Sequence, residues 1–335
     1  MTYTQSSEIG WGIIGAGDVC EVKSGPAFNL AKHSRLVAVM RRNGEKARDF
    51  AQRHQVPKWY DDADKLISDP EINAVYIATP PDSHAEYTFK IAEAGKPVYV
   101  EKPMARNYKE CISMVKACEQ AAVPLFVAYY RRMLPNFLKI KELVDGGTIG
   151  DIRLVDVKLF KTAAPDIVGA SNAEDNWRIF PEIAGGGYFY DLASHQLDFL
   201  DYLFGPIVEA CGFARNQAGL YPAEDIVTGS FRFENGILGQ GTWCFTTSEM
   251  SDREITTLIG SKGQISFSYF GGWNVLLEVE GKEKEIFTFQ PIKHIQQPLI
   301  ETIVSTLLGK GTCPSTGISG ARTNRVMEWL CNRVP

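Results

Sequence analysis

The chain reads as a two-part α/β protein: a doubly wound parallel sheet, then an α+β domain on an open, mainly antiparallel sheet. Three observations predict this. Up to residue 128, short apolar runs without alternation are separated by helical patterns, as expected of strands buried on both faces. A glycine-rich turn stands directly after the first run. Beyond about residue 130 the runs often alternate and are joined by short turns, which is the pattern of hairpins. With 335 residues, two domains are the natural division.

Taken in order, Ile9–Ile14 is the first strand, and a helix follows its glycine turn. Gly25-Pro26 breaks that helix near Ser24, because proline lacks the amide a helix needs. Leu36–Met40 is the second strand, and Glu45–His54 has helical spacing. Ala74–Ala78 and Val98–Val100 are further strands, with a helix from about Ser83 to Ala94 between them. Tyr108–Ala121 is helical and Leu125–Ala128 extended. Right-handed crossovers wind such a series into a doubly wound sheet. In the second part Ile152–Phe160, Ile207–Phe213, Ile226–Phe233, Ile237–Phe245, Glu254–Ile259, Gln264–Tyr269, Val275–Val279 and Glu285–Phe289 read as strands. Turns such as Glu234-Asn235-Gly236 join them. Helices are expected at about 188–204, 296–308 and 320–332. The boundaries drawn are 1–128 and 129–335, with the last helix free to pack back on the first domain.

Composition excludes several classes. Lysine and arginine total 35 against 40 aspartates and glutamates, a net charge of −5. That balance argues against nucleic-acid and membrane-surface binders, which need basic patches. No apolar run reaches the roughly 18 residues of a spanning helix, and the polar start shows no signal peptide. The seven cysteines are scattered, with no C-x-x-C pair and no zinc spacing, so reduced thiols, a cytoplasmic location and no metal are expected.

Gly15-Ala16-Gly17-Asp18-Val19-Cys20 lies between the first strand and its helix. The first glycine allows the tight turn and the second lets backbone approach a pyrophosphate, which then rests on helix amides. Cys20 takes the third position, where glycine or alanine is usual. In this βαβ context the turn predicts a dinucleotide-binding Rossmann domain, with Gly15, Gly17, Asp18 and Val19 at the cofactor. The second strand ends at Arg41-Arg42-Asn43-Gly44-Glu45-Lys46, where an NAD site usually supplies a carboxylate. Guanidinium geometry suits a 2′-phosphate, so Arg41, Arg42 and Lys46 point to NADP(H) over NAD(H). The competing reading is a solvated basic turn.

Three more segments complete a pattern: Thr79-Pro80-Pro81-Asp82-Ser83-His84, Glu101-Lys102-Pro103, and Gly185-Gly186-Gly187-Tyr188-Phe189-Tyr190-Asp191-Leu192-Ala193-Ser194-His195. With the glycine turn, and over nearly the whole chain in order and spacing, these resemble the glucose–fructose oxidoreductase / inositol dehydrogenase / rhizopine-catabolism (Gfo/Idh/MocA) family of NAD(P)-dependent oxidoreductases. The resemblance implies that Lys102 sits beside the nicotinamide and the reacting alcohol. Its ammonium would polarise a carbonyl or stabilise an alkoxide. Glu101 would bind the cofactor or order the site rather than do chemistry. Asp191 and His195, spaced i, i+4, project from one helix face. His195 is the general acid/base candidate, and Asp191 would bind a substrate hydroxyl or Lys102. A structural histidine or a merely local aspartate–histidine pair are the competing readings.

The resemblance also implies cofactor contacts from Thr79, Pro80, His84, Tyr130, Trp177 and Arg178, with Arg131 toward substrate. His84 could instead cap or pack at its helix start, and Trp177-Arg178 could be a core tryptophan with a surface arginine. The expected activity is hydride transfer between NADP(H) and a secondary alcohol or ketone of a sugar, polyol or cyclitol-like substrate. A dihydrodiol, imine or keto-acid derivative, or a non-catalytic NADP-sensing regulator, are the alternatives. A homodimer or higher homo-oligomer through the C-terminal sheet is expected by family analogy.

Overall fold

The computed structural model describes residues 7–163 and 176–333. The chain divides into two compact units, 1–130 with 292–321, and 131–291 with 322–335. The first unit is therefore built from two separated stretches of sequence.

In the first unit the elements run β1 (Ile9–Ile14), α1 (Asp18–Val22), α2 (Ala27–Leu30), β2 (Ser34–Met40), α3 (Gly44–Arg53), β3 (Lys58–Tyr60), α4 (Ala63–Ser68), β4 (Ala74–Ile77), α5 (His84–Glu93), β5 (Val98–Val100), α6 (Tyr108–Gln120) and β6 (Leu125–Val127). All six strands are parallel, in the order β3-β2-β1-β4-β5-β6. Every residue of β1, β4 and β5 is buried, which is why the sequence shows apolar runs here and no alternation. The break at Gly25-Pro26 is present between α1 and α2. Two elements lie beyond the sequence reading. β3 has three residues, only partly buried, and α4 has six, so neither carries a periodic signal.

The second unit contains α7 (Pro135–Asp145), β7 (Ile152–Phe160), α8 (Pro181–Ala184), α9 (Tyr188–Phe204), β8 (Ile207–Arg215), β9 (Ile226–Phe233), β10 (Leu238–Cys244), β11 (Arg253–Gly260), β12 (Gly263–Phe267), β13 (Asn274–Val279) and β14 (Glu285–Thr288). Eight strands form one sheet, β14-β13-β12-β11-β7-β10-β9-β8. Only β7 and β10 pair in parallel; the other neighbours are antiparallel. Val155, Val157 and Leu159 of β7 point inward and their neighbours outward, the alternation of a sheet covered on one face. α7, begun by Pro135 at its first turn, also lies beyond the sequence reading.

The chain then returns to the first unit through α10 (Gln297–Leu307). It ends in α11 (Gly317–Leu330), whose first residues group with the first unit and the rest, from Arg322, with the second. Gly317 and Gly320 bring α11 close against Leu125 and Val127. At its other end Leu330 fills the space left by Gly212 and Gly229, register partners on β8 and β9.

Candidate active site

β1, β4 and β5 are neighbours, and Ile14, Ile77 and Val100 lie in register. Three turns therefore leave one sheet edge side by side: Gly15–Gly17, Thr79–Pro80 and Glu101–Pro103. The strand order also reverses between β1 and β4, and such reversal points are where open α/β sheets take ligands.

Gly15 has φ +84°, and its amide donates to the Met40 carbonyl at 2.9 Å. A Cβ there would stand 2.5 Å from Thr79 Cγ2, so only glycine fits between the turns. Gly17 is different: a Cβ would meet nothing closer than the Gly15 carbonyl at 3.8 Å. The turn is thus tight where it touches the protein and open where a pyrophosphate would approach, which fits a dinucleotide. Asp18 and Val19 open α1 immediately after it. Cys20, in the third position, is fully buried, and burial pushes its thiol up to about 12. Gly25 accommodates it, because a side chain there would collide with the Cys20 carbonyl.

Arg41, Arg42 and Lys46 stand just past β2. Among the described residues none of their side chains has an ion pair or hydrogen bond, although Asn43 caps α3 by accepting from the Lys46 amide at 3.0 Å. Three uncommitted cations at this strand end suit an anionic ligand.

Around the Thr79 turn, the Ser83 hydroxyl donates to Thr79 Oγ1 at 2.8 Å. His84 is wholly buried, with Nε2 at 2.7 Å from the Thr79 carbonyl and Nδ1 at 3.1 Å from the Met104 carbonyl. The buried ring packs between the two turns, and as a neutral imidazole it donates to one of these carbonyls. Burial lowers its pKa, outweighing the two carbonyls. Glu101 is buried too. Its Oε1 accepts from the Tyr76 hydroxyl at 2.5 Å and Gln296 Nε2 at 2.6 Å, while Oε2 accepts the Lys102 amide at 3.0 Å. The carboxylate thus orders the Lys102 turn from within. Lys102 is partly exposed, and the Lys102–Pro103 peptide is cis. Tyr130 is buried at the end of this unit.

In the second unit, α9 carries Asp191 and His195 one turn apart, both buried. Arg178, expected at the cofactor, lies with Nε 3.4 Å from Asp191 Oδ2 and its guanidinium 4.5 Å from the Trp177 ring centre. His195 meets the Phe270 ring edge to face, with centroids 6.1 Å apart. Arg131, expected to face substrate, is buried; it donates to the Tyr269 carbonyl at 2.9 and 3.2 Å and covers the Phe270 ring at 4.6 Å. The glycine run before α9 permits close packing: a Cβ on Gly187 would stand 2.7 Å from Ala223, and Gly186 lies against the Tyr190 ring.

Three supporting residues have no signal in the sequence. Glu254 accepts from the Ser268 hydroxyl, from the Tyr269 and Phe270 amides at 2.8 and 3.1 Å, and from Gln196 at 3.3 Å. It fixes the loop that packs on His195. Arg333 holds Glu224 and the Gly185 carbonyl. Gln296 holds Glu101. Their partners are far along the chain, so no spacing rule finds them. Among the described residues no cluster of three or more His, Cys, Asp or Glu could hold a metal ion, and no helix is long and apolar enough to cross a membrane.

Comparison with known proteins agrees with this layout. Residues 9–129 match the oxidoreductase family with an NAD-binding Rossmann fold, GFO_IDH_MocA, and residues 137–266 match the GFO/IDH/MocA C-terminal domain. The chain is 41% identical over 327 residues to Oxidoreductase P35 of Formosa agariphila, covering 97% of this chain and 99% of that one. It is 29% identical over 233 residues to the myo-inositol 2-dehydrogenase of Thermotoga maritima, covering 68% and 66%. Among solved structures, a levoglucosan dehydrogenase in complex with NADH and levoglucosan shares the fold with a TM-score of 0.84, 22% identity and 96% coverage of both chains.

Proposed function

The chain belongs to the GFO/IDH/MocA family and is an NAD(P)-dependent oxidoreductase acting on CH–OH groups; from that premise we propose that it uses NADP(H) on a secondary alcohol or ketone of a sugar, polyol or cyclitol-like substrate. The single observation that carries the reading is the shared sheet edge, where Gly15, Thr79 and Lys102 emerge from adjacent strands in register. Gly15, Gly17, Asp18, Val19, Thr79 and Pro80 hold the dinucleotide. The uncommitted Arg41, Arg42 and Lys46 support the choice of NADP(H), by binding a 2′-phosphate. When bound, the nicotinamide supplies or accepts the hydride.

Lys102 places its ammonium on the reacting oxygen and stabilises the negative charge that grows there. His195 takes the alcohol proton in oxidation and returns it in reduction. Asp191, steadied by Arg178, orients a substrate hydroxyl. The hydroxylated substrate class is supported by the relatives, which include a myo-inositol 2-dehydrogenase.

The first unit is the dinucleotide domain, and the second supplies substrate binding and self-association. Phe213, Leu238 and Ile286 are all exposed on the outward face of the eight-stranded sheet, by the register that runs through Lys158 and Asp156. Self-association through this face, as a homodimer or higher homo-oligomer, is supported by the family resemblance. Seven free cysteines support a reducing, cytoplasmic setting.

The test is parallel fluorescence titration of cofactor-stripped protein with NADPH and NADH, then a polyol and sugar screen with the tighter binder. NADPH is expected to bind more tightly. On the substrate found, Lys102→Ala and His195→Ala are each expected to lose about 10²–10⁴-fold in kcat. Full turnover by both variants would overturn the assignment.

A further inference from the structure

Gln296 lies outside the motifs and stands just before α10. Its side chain is completely buried and all its polar atoms are engaged. Nε2 donates to Glu101 Oε1 at 2.6 Å, and Oε1 accepts from the Tyr99 hydroxyl at 2.7 Å. Its own amide donates to the Lys23 carbonyl at 3.2 Å, at the end of α1. One residue therefore joins the end of the helix after the glycine turn, the strand β5, and the carboxylate beside Lys102.

An isolated carboxylate has several lone-pair sites and can rotate among donors. Glu101 cannot, because Tyr76 and Gln296 both claim Oε1, leaving Oε2 for the Lys102 amide. We propose that Gln296 is a positioning residue for Lys102: its amide fixes the rotation of Glu101, and Glu101 in turn fixes the backbone from which the lysine projects. The proposal rests on the reading of Lys102 as the residue at the reacting oxygen. The distant stretch 292–321 is then part of the catalytic apparatus of the first unit, not only its cover.

The test measures hydrogen exchange at the Lys102 amide in the full chain, as a protection factor against the intrinsic rate. Gln296→Leu is expected to lower that protection at least tenfold, while amides within β4 and β5 keep theirs. Gln296→Glu supplies the conservative rescue. A glutamate pressed against Glu101 shares one proton with it and restores the hydrogen bond. The other titratable groups that interact with Glu101 are Tyr76, Tyr99 and Cys20, all held protonated by burial, and His84, whose charged form burial disfavours. Protection in Gln296→Glu is therefore expected near the wild-type level at pH 6 and lost by pH 9, with the wild type flat. Unchanged protection in Gln296→Leu, or a loss spread equally over β4 and β5, overturns the proposal. If Gln296→Leu does not fold, the pH comparison in Gln296→Glu decides, and a flat low value overturns it. Retained turnover by Lys102→Ala would remove the catalytic reading and leave the exchange result standing, so the two failures are distinct.

Discussion

Arg132 and Asp198 form a two-point ion pair inside the second unit, with Nε to Oδ2 at 2.8 Å and Nη2 to Oδ1 at 2.6 Å. Both side chains are all but fully buried. Asp198 lies one turn after His195 on α9, and Arg132 follows Arg131 in the chain. The pair therefore anchors the helix carrying the proposed acid/base to the segment that packs on Phe270.

Removing one partner leaves an uncompensated buried charge. Arg132→Met is expected to cost about 3–5 kcal/mol, measured by urea unfolding. Arg132→Met with Asp198→Leu is expected to recover most of that loss, since a volume-matched apolar pair replaces two desolvated ions. A double variant as unstable as the single one would show that the pair contributes more than it costs to bury.

Arg41→Ala with Arg42→Ala is expected to weaken NADPH binding by about 1.5–3 kcal/mol, roughly 10- to 100-fold, the worth of charged hydrogen bonds to a phosphate. NADH affinity should stay within a factor of about two to three, because its ribose presents no phosphate. Titration of the variant with both cofactors reads the ratio directly. Equal losses for the two would transfer the arginines to a general electrostatic role.

The two glycines of the first turn should separate folding from binding. Gly15→Ala forces a side chain into left-handed backbone, costing about 1–2 kcal/mol, and adds a clash with Thr79. Its melting temperature should drop. Gly17→Ala meets open space and should melt like the wild type while losing affinity for either dinucleotide. Calorimetry and titration on the same samples check both halves.

His84 makes stability depend on pH. Its folded pKa is depressed by burial below the ordinary 6.5, so the unfolded chain binds the proton first. The stabilising contribution is complete above about 6.5 and is lost as pH falls below that value toward the folded pKa. Melting temperatures between pH 8 and 5 should fall in the wild type. His84→Gln should be less stable at pH 8, having lost the buried ring packed between the Thr79 and Met104 carbonyls, yet show a shallower decline. A parallel decline in both would place the acid sensitivity elsewhere.

Both sheets were legible because their residues repeat locally. The pattern over 152–160 marks β7, and the glycine run followed by 188–204 marks α9. Short elements with little burial, such as β3, leave no period to read. Motif residues were legible as positions, while their partners were not. Arg178 and Asp191 are joined across an intervening turn, and Glu101 and Gln296 lie 195 residues apart. Spacing rules describe neighbours on one helix or strand, so pairings made by the tertiary path fall outside them.

The discontinuous first unit sets an order of events at birth. Residues 1–130 leave the ribosome first, but Gln296 and α10 follow only after 131–291 have been made. At about 5–20 residues per second that interval lasts on the order of ten seconds to half a minute. During it the parallel sheet can assemble while the Glu101 carboxylate still lacks its amide donor and the surface later covered by α10 stays wet. The lysine turn thus matures late in synthesis, and a chain interrupted before residue 292 would carry the nucleotide-binding motifs without the partner that sets them.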